Sequence, residues 1–189
     1  MIKDVYLIFK THLDVGFTDL SENVIQTYLH DFIPRAMQVS YALKGSDTEY
    51  IWTVGAWLLD LALKQDRDGR IEQAIQDGCF SWNALPFTTH TEMMNPRAFQ
   101  MSLKLSERLD RRFGVKTTAA KLSDVPGHTI GIVPLLRQAG VDLLHIGVNP
   151  ASPMPPVPPL FRWKCGTDSI VVMYNEDYGH QGRTERKNE

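Results

Sequence analysis

The chain has 189 residues, 43% of them hydrophobic and 22% charged, with a formal net charge of −2 at pH 7. These proportions fit a soluble globular protein with one sizeable apolar core. They argue against nucleic acid as the main partner, because the basic run "RLDRRFGVK" reads as the solvated last turn of a helix. No apolar run approaches the ~18 residues of a membrane span, and the one in "MIKDVYLIFK" is too short for a signal peptide. Two cysteines, Cys79 and Cys165, make neither a disulfide framework nor a cysteine-rich zinc site. They read as reduced thiols, so a cytoplasmic location is expected.

In chain order, "VYLIF" predicts a buried first strand, its residue types suiting a pleated surface. A helical pattern follows from Ser21 to Lys44, with Asp19 and Glu22 as a capping box, Pro34 kinking or splitting it, and Gly45 just past its end. "EYIWTV" is a second strand and "AWLLDLALKQ" a second helix. "RIEQAIQDG" predicts a helix stopped at Gly78, and "CFSWNA" a third strand. Pro96 opens a long helix that Gly114 ends. "KTTAAKL", "IVPLLRQAG" and "VDLLHIGV" continue as strand, helix and strand. Strands alternating with glycine-stopped helices indicate an α/β protein with a mainly parallel sheet. The proline-rich "ASPMPPVPP" breaks that pattern as an extended loop, and "LFRWKCGTDSIVVMY" predicts a hairpin around Gly166, Thr167 and Asp168. Residues 1–174 are expected to form one catalytic-type α/β region, and 175–189 a polar tail or truncated continuation.

In parallel α/β folds the active site lies at the carboxyl ends of the strands. The predicted strand exits hold most of the histidines and several carboxylates: His12 and Asp14, His90 and Glu92, and Asp124 and His128. His145 falls within a strand, while His30 and His180 read as surface or packing residues. If the chain is still extended at His12 and Asp14, a period of two puts both side chains on one face. Zn²⁺ accepts imidazole nitrogen and carboxylate oxygen at about 2.0–2.2 Å. A third ligand must then come from another exit. Asp124 is the best candidate, since "SDVPGHT" joins an acid to Pro126 and Gly127, which fix a tight turn. One neutral histidine with two aspartates also balances a divalent cation.

Each signal has a plainer alternative. Asp14 fits a turn cap, and "DVPGH" fits an ordinary strand-to-helix turn. His90 and Glu92 suit a packing histidine beside a helix-capping acid, and His128 a capping or supporting residue near a helix start. Phe17, Trp57, Trp82 and Phe87 are of the type that stacks on sugar rings, although aromatics in an α/β core are commoner than aromatic platforms.

"HLDVGFTD" resembles the His-x-Asp-x-Gly-aromatic signature of the class II α-mannosidases, which are zinc-dependent retaining glycoside hydrolases. "SDVPGHT" is similar to that family's second signature, "GCFSWNALPFTTHTEMM" to its Trp-containing loop, and "LFRWKCGTDSIVV" to its Phe-x-Trp hairpin. The chain departs from the family pattern at Lys10, Phe17 and Pro126, where a histidine, a tryptophan and an aromatic residue are usual. The resemblance implies a seven-stranded β/α barrel of the glycoside hydrolase/deacetylase type with zinc at its carboxyl end, incomplete in this chain. It implies His12, Asp14 and Asp124 as zinc ligands and Asp124 as the catalytic nucleophile. Phe17, Trp82, His90, Glu92 and His128 are candidate substrate-binding residues. An α-mannoside or related glycoside is the implied substrate, and a further C-terminal segment of the same enzyme would supply the fourth zinc ligand and the acid/base carboxylate. The isolated chain is therefore expected to bind zinc weakly and turn over little. Two alternatives stay open: a metal-dependent deacetylase-like hydrolase that activates water, and an inactive carbohydrate-binding barrel fragment.

Overall fold

The computed structural model describes residue 3 and residues 7–149, 151–153 and 155–175. The start of the first predicted strand, the predicted tail and His180 lie outside the described residues. The chain divides into two compact units, Met1–Phe87 with Gln100–Thr118, and Thr88–Phe99 with Ala119–Glu189.

The first unit carries a three-stranded sheet in the order β1 (Phe9–Lys10), β2 (Trp52–Gly55), β3 (Phe80–Asn83). Both pairings are parallel. The predicted first strand is shorter and more open than its composition suggests. Leu7 and Ile8 are 74% and 73% exposed and precede the paired residues. β1 is the edge strand of this sheet, so its apolar side chains have cover from one side only.

The long helical stretch is interrupted as Pro34 requires, but by a wide turn rather than a break. α1 (Ser21–Thr27) passes through a π-helical segment, Tyr28–Phe32, into α2 (Ile33–Leu43). Proline has no N–H, and its ring clashes with the carbonyl four residues back. The wide turn immediately before Pro34 makes room for that ring, and the Ile33 N–H reaches back to the Tyr28 carbonyl. The predicted capping box does not form. Leu20 holds the N-cap position, and Asp19 accepts from the Leu20 N–H at 2.7 Å and from Asn23 Nδ2 at 3.1 Å.

α3 (Ala56–Gln65) and α4 (Arg70–Gln76) follow β2 as the apolar spacing predicts. Leu58, Leu59, Ala62, Ala74 and Ile75 are buried against Val54, Trp52 and Phe80 in one core cluster. Each fully buried leucine contributes about 1.5–3 kcal/mol relative to exposure. Asp66 caps α4, accepting from the N–H groups of Arg70, Ile71 and Glu72 at 3.0 Å. Helix α5 (Pro96–Phe113) buries Leu103, Ser106 and Leu109 and ends at Gly114, whose φ of +68° suits a residue without a Cβ.

The second unit has a four-stranded sheet in the order β4 (Ala119–Ser123), β5 (Leu143–Gly147), β7 (Asp168–Asn175), β6 (Leu160–Cys165). β4, β5 and β7 are parallel, and β6 pairs antiparallel with β7 as the predicted hairpin. Leu122, Leu144, Ile146, Ile170 and Val172 are buried, together with Val133 and Leu136 of helix α6 (Ile132–Gln138). The architecture is mixed α/β with predominantly parallel sheets. Among the described residues the strands form two sheets and no closed barrel.

Gly55 shows how closely the first unit's strand exits pack. The N–H groups of Ala56 and Trp57, unpaired within their own helix, donate to the carbonyls of Leu85 and Pro86 at 3.3 and 3.2 Å. A Cβ on Gly55 would lie 2.2 Å from the Pro86 carbonyl oxygen. Gly55→Ala is expected to destabilise the protein by about 3 kcal/mol, read from urea denaturation midpoints. An unchanged midpoint would show that the two exits are not held together there.

Candidate functional site

Each unit presents its polar residues at the carboxyl ends of parallel strands. In the first unit β1 ends at Lys10, and the Thr11 N–H extends the ladder by one bond, to the Thr53 carbonyl at 3.3 Å. Beyond it the chain is irregular, yet His12 Nε2 and Asp14 Oδ1 lie 3.2 Å apart. Their side chains are 18% and 40% exposed, with the ring nitrogen itself buried. A ring nitrogen and a carboxylate oxygen at this separation suit an ion pair or neighbouring ligands of one cation.

Tyr28, from the π-helical segment, holds this exit in place. Its hydroxyl donates to the His12 carbonyl at 3.2 Å, and Thr11 Oγ1 lies 3.1 Å from the Tyr28 hydroxyl oxygen. Because the phenol has one proton, the threonine is the donor in the second contact. Phe17 stands 86% exposed just beyond.

Trp82 is a core residue rather than an exposed platform. It is buried, its indole N–H donates to Asp110 Oδ1 at 2.7 Å, and its ring packs against Phe113 at 6.0 Å between centroids. Asp110 also accepts from the backbone and hydroxyl of Thr117 at 2.8 and 2.7 Å, which ties α5 to the segment leading into β4.

In the second unit Asp124 follows β4 directly. Its φ of +64° is the one positive value at a non-glycine position among the described residues. Aspartate tolerates this left-handed region better than most residues, and such backbone strain gathers at functional sites. The Asp124 N–H donates to the Gly147 carbonyl at 2.8 Å. Asn149, beyond the end of neighbouring β5, donates its amide to Asp124 Oδ1 at 2.8 Å, while its own Oδ1 accepts the Ala151 N–H at 2.9 Å. The second contact fixes which end of the amide faces the aspartate.

His128 lies further along the same exit loop, with Nδ1 3.2 Å from Thr91 Oγ1. Burial pushes its pKa down from the ordinary 6.5 to about 4, and the charge of nearby His90 adds to the shift. The imidazole is therefore neutral at physiological pH. His90 and Glu92 are exposed at the short 3₁₀ turn Thr91–Met93, so His90 is not the packing residue of the plainer alternative. Sequence reasoning missed Tyr28, Thr91 and Asn149. Thr91 and Asn149 stand in strand exits, where a search for polar residues would find them. Tyr28, inside a helix, gives no such signal.

No protein-family model matches the chain, and no curated protein matches it in sequence. Solved structures do. An alpha-mannosidase from Enterococcus faecalis V583 superposes with a TM-score of 0.73 at 10% identity, covering 88% of this chain and 19% of that one. A 4-alpha-glucanotransferase from Thermococcus litoralis superposes with a TM-score of 0.63 at 13% identity, covering 89% of this chain and 27% of that one. The chain thus spans about a quarter or less of either protein and shares the fold of that part. No helix among the described residues is long and apolar enough to cross a membrane.

The depressed His128 pKa has a pH consequence. Protonation favours the unfolded chain, so this stabilising contribution is full above 6.5 and is lost as pH falls towards 4. His128→Gln does not titrate. Urea denaturation above 6.5 and near 4 should show a smaller acid loss of stability in that variant than in the unsubstituted protein. Equal losses would mean that His128 is not held neutral.

Proposed function

We propose that this chain is the N-terminal catalytic portion of a zinc-dependent retaining glycoside hydrolase of the α-mannosidase type, with His12, Asp14 and Asp124 holding one divalent cation. The observation that carries the reading is the His12–Asp14 pair, 3.2 Å apart beyond the end of β1, to which the reading adds the Asp124 carboxylate as the third member of the donor set. The set suits zinc in ligand type, and its two negative charges balance the ion. The fold adds support, being shared with parts of two proteins named for carbohydrate chemistry. The parallel sheets are read as portions of an incomplete seven-stranded β/α barrel, and the location as cytoplasmic.

When bound, zinc would supply a Lewis acid that holds sugar hydroxyls. The residues of the chain do the rest. Asp124 attacks the anomeric carbon and forms a covalent glycosyl-enzyme as the leaving oxygen departs. Asn149, hydrogen-bonded to one carboxylate oxygen, keeps the nucleophile in a single orientation. A second carboxyl group, about 5–5.5 Å away in enzymes of this class, protonates the leaving oxygen and then activates water. That group is assigned to the remainder of the enzyme. Phe17, His90, Glu92 and His128 are assigned to substrate contacts.

In the full-length enzyme, Asp124→Asn is expected to lower turnover of aryl α-mannosides at least about a thousandfold. A mechanism-based fluorosugar should label Asp124 covalently, as seen by mass spectrometry of the digested protein. A hydrolase that activates water on its metal would give no such adduct. Near-normal turnover by the asparagine variant would remove the nucleophile assignment.

A further inference from the structure

Asp124 sits in a loop whose two flanks are both tied to one short segment, "TTHT" at residues 88–91. On the strand side, Thr88 Oγ1 accepts the Ser123 N–H at 3.3 Å and lies 3.2 Å from Ser123 Oγ. Ser123 is completely buried and also receives a hydrogen bond from Lys121 Nζ at 2.9 Å. On the helix side, Thr91 Oγ1 accepts the Thr129 N–H at 3.1 Å and contacts His128 Nδ1 at 3.2 Å. Two threonines three positions apart thus accept backbone N–H groups on either side of Asp124.

The helix-side contacts also settle where the His128 proton sits. Thr91 is 3% exposed. Its oxygen already accepts from Thr129, and among the described residues its hydroxyl proton has one acceptor in reach, His128 Nδ1. If Nδ1 carried the hydrogen instead, two buried groups would be unmatched, the threonine proton and the Nε2 lone pair. With Nδ1 accepting, only the Nε2 hydrogen is. The second arrangement costs less, so the neutral ring is the Nε2–H tautomer.

We propose that Thr88 and Thr91 are positioning residues, clamping both flanks of the Asp124 loop through their hydroxyls, and that Thr91 sets the tautomer of His128. The methyl groups of the two threonines play no part in this; the hydroxyls do. For its catalytic consequence the proposal rests on the glycosidase reading above, but the tautomer does not.

The test compares Thr91→Ser, which keeps the hydroxyl, with Thr91→Val, which keeps the shape. Nitrogen-15 spectra of histidine-labelled protein should show His128 with an accepting Nδ1 and a protonated Nε2, both unsubstituted and in the serine variant. The valine variant should show a mixture of tautomers. In the full-length enzyme, Thr91→Val and Thr88→Val should each lower kcat on an aryl α-mannoside about ten- to a hundredfold with little change in KM, and the serine variants should recover it. A protonated Nδ1 in the unsubstituted protein, or a valine variant spectroscopically like it, overturns the clamp. So does a serine variant as impaired as valine, which would make the role one of packing. If no glycoside is turned over, the glycosidase reading falls, and the His128 spectrum still decides the Thr91 side of the clamp.

Discussion

Parallel pairing is the constraint from which the rest of this structure follows. Strands that run the same way need crossover connections, so each leaves its sheet at the same edge as its neighbours. β1, β2 and β3 do this in the first unit, and β4, β5 and β7 in the second. The strand interiors stay apolar, with Val54, Leu122 and Leu144 almost fully buried. Most of the candidate site residues lie at the exits, where irregular backbone can be hydrogen-bonded and a ligand can approach.

Several of the partners that order these exits are neutral groups. Tyr28 holds His12 through its backbone carbonyl, Asn149 holds Asp124 through an amide, and Thr91 holds His128 through a hydroxyl. An amide orders a carboxylate without cancelling its charge, whereas a lysine or arginine would compete with a bound cation for it. His128, kept neutral by burial, likewise adds no positive charge to the exit.

Much of the fold was legible because apolar runs and helix stops are local signals. The alternation of strands and helices, the hairpin of β6 and β7, and the helix ends at Gly114 and Gly140 could all be read directly. The exposure of Leu7 and Ile8 could not, because composition does not say which neighbours cover a strand. Pro34 announced a disturbance but not its form, since a break and a wide turn both relieve the same clash. His12 and Asp14 do approach each other, though not through the period-two argument, as the strand stops at Lys10. Tyr28, Thr91 and Asn149 act across 16, 37 and 25 residues of sequence, and no local pattern encodes such pairings.

The most direct measurement is diffraction at the zinc absorption edge from crystals of the full-length protein grown with zinc. A single anomalous peak is expected, bonded to a His12 ring nitrogen and to carboxylate oxygens of Asp14 and Asp124 at about 2.0–2.2 Å. Zinc bound elsewhere, or a peak lacking any of these three side chains, would contradict the assignment.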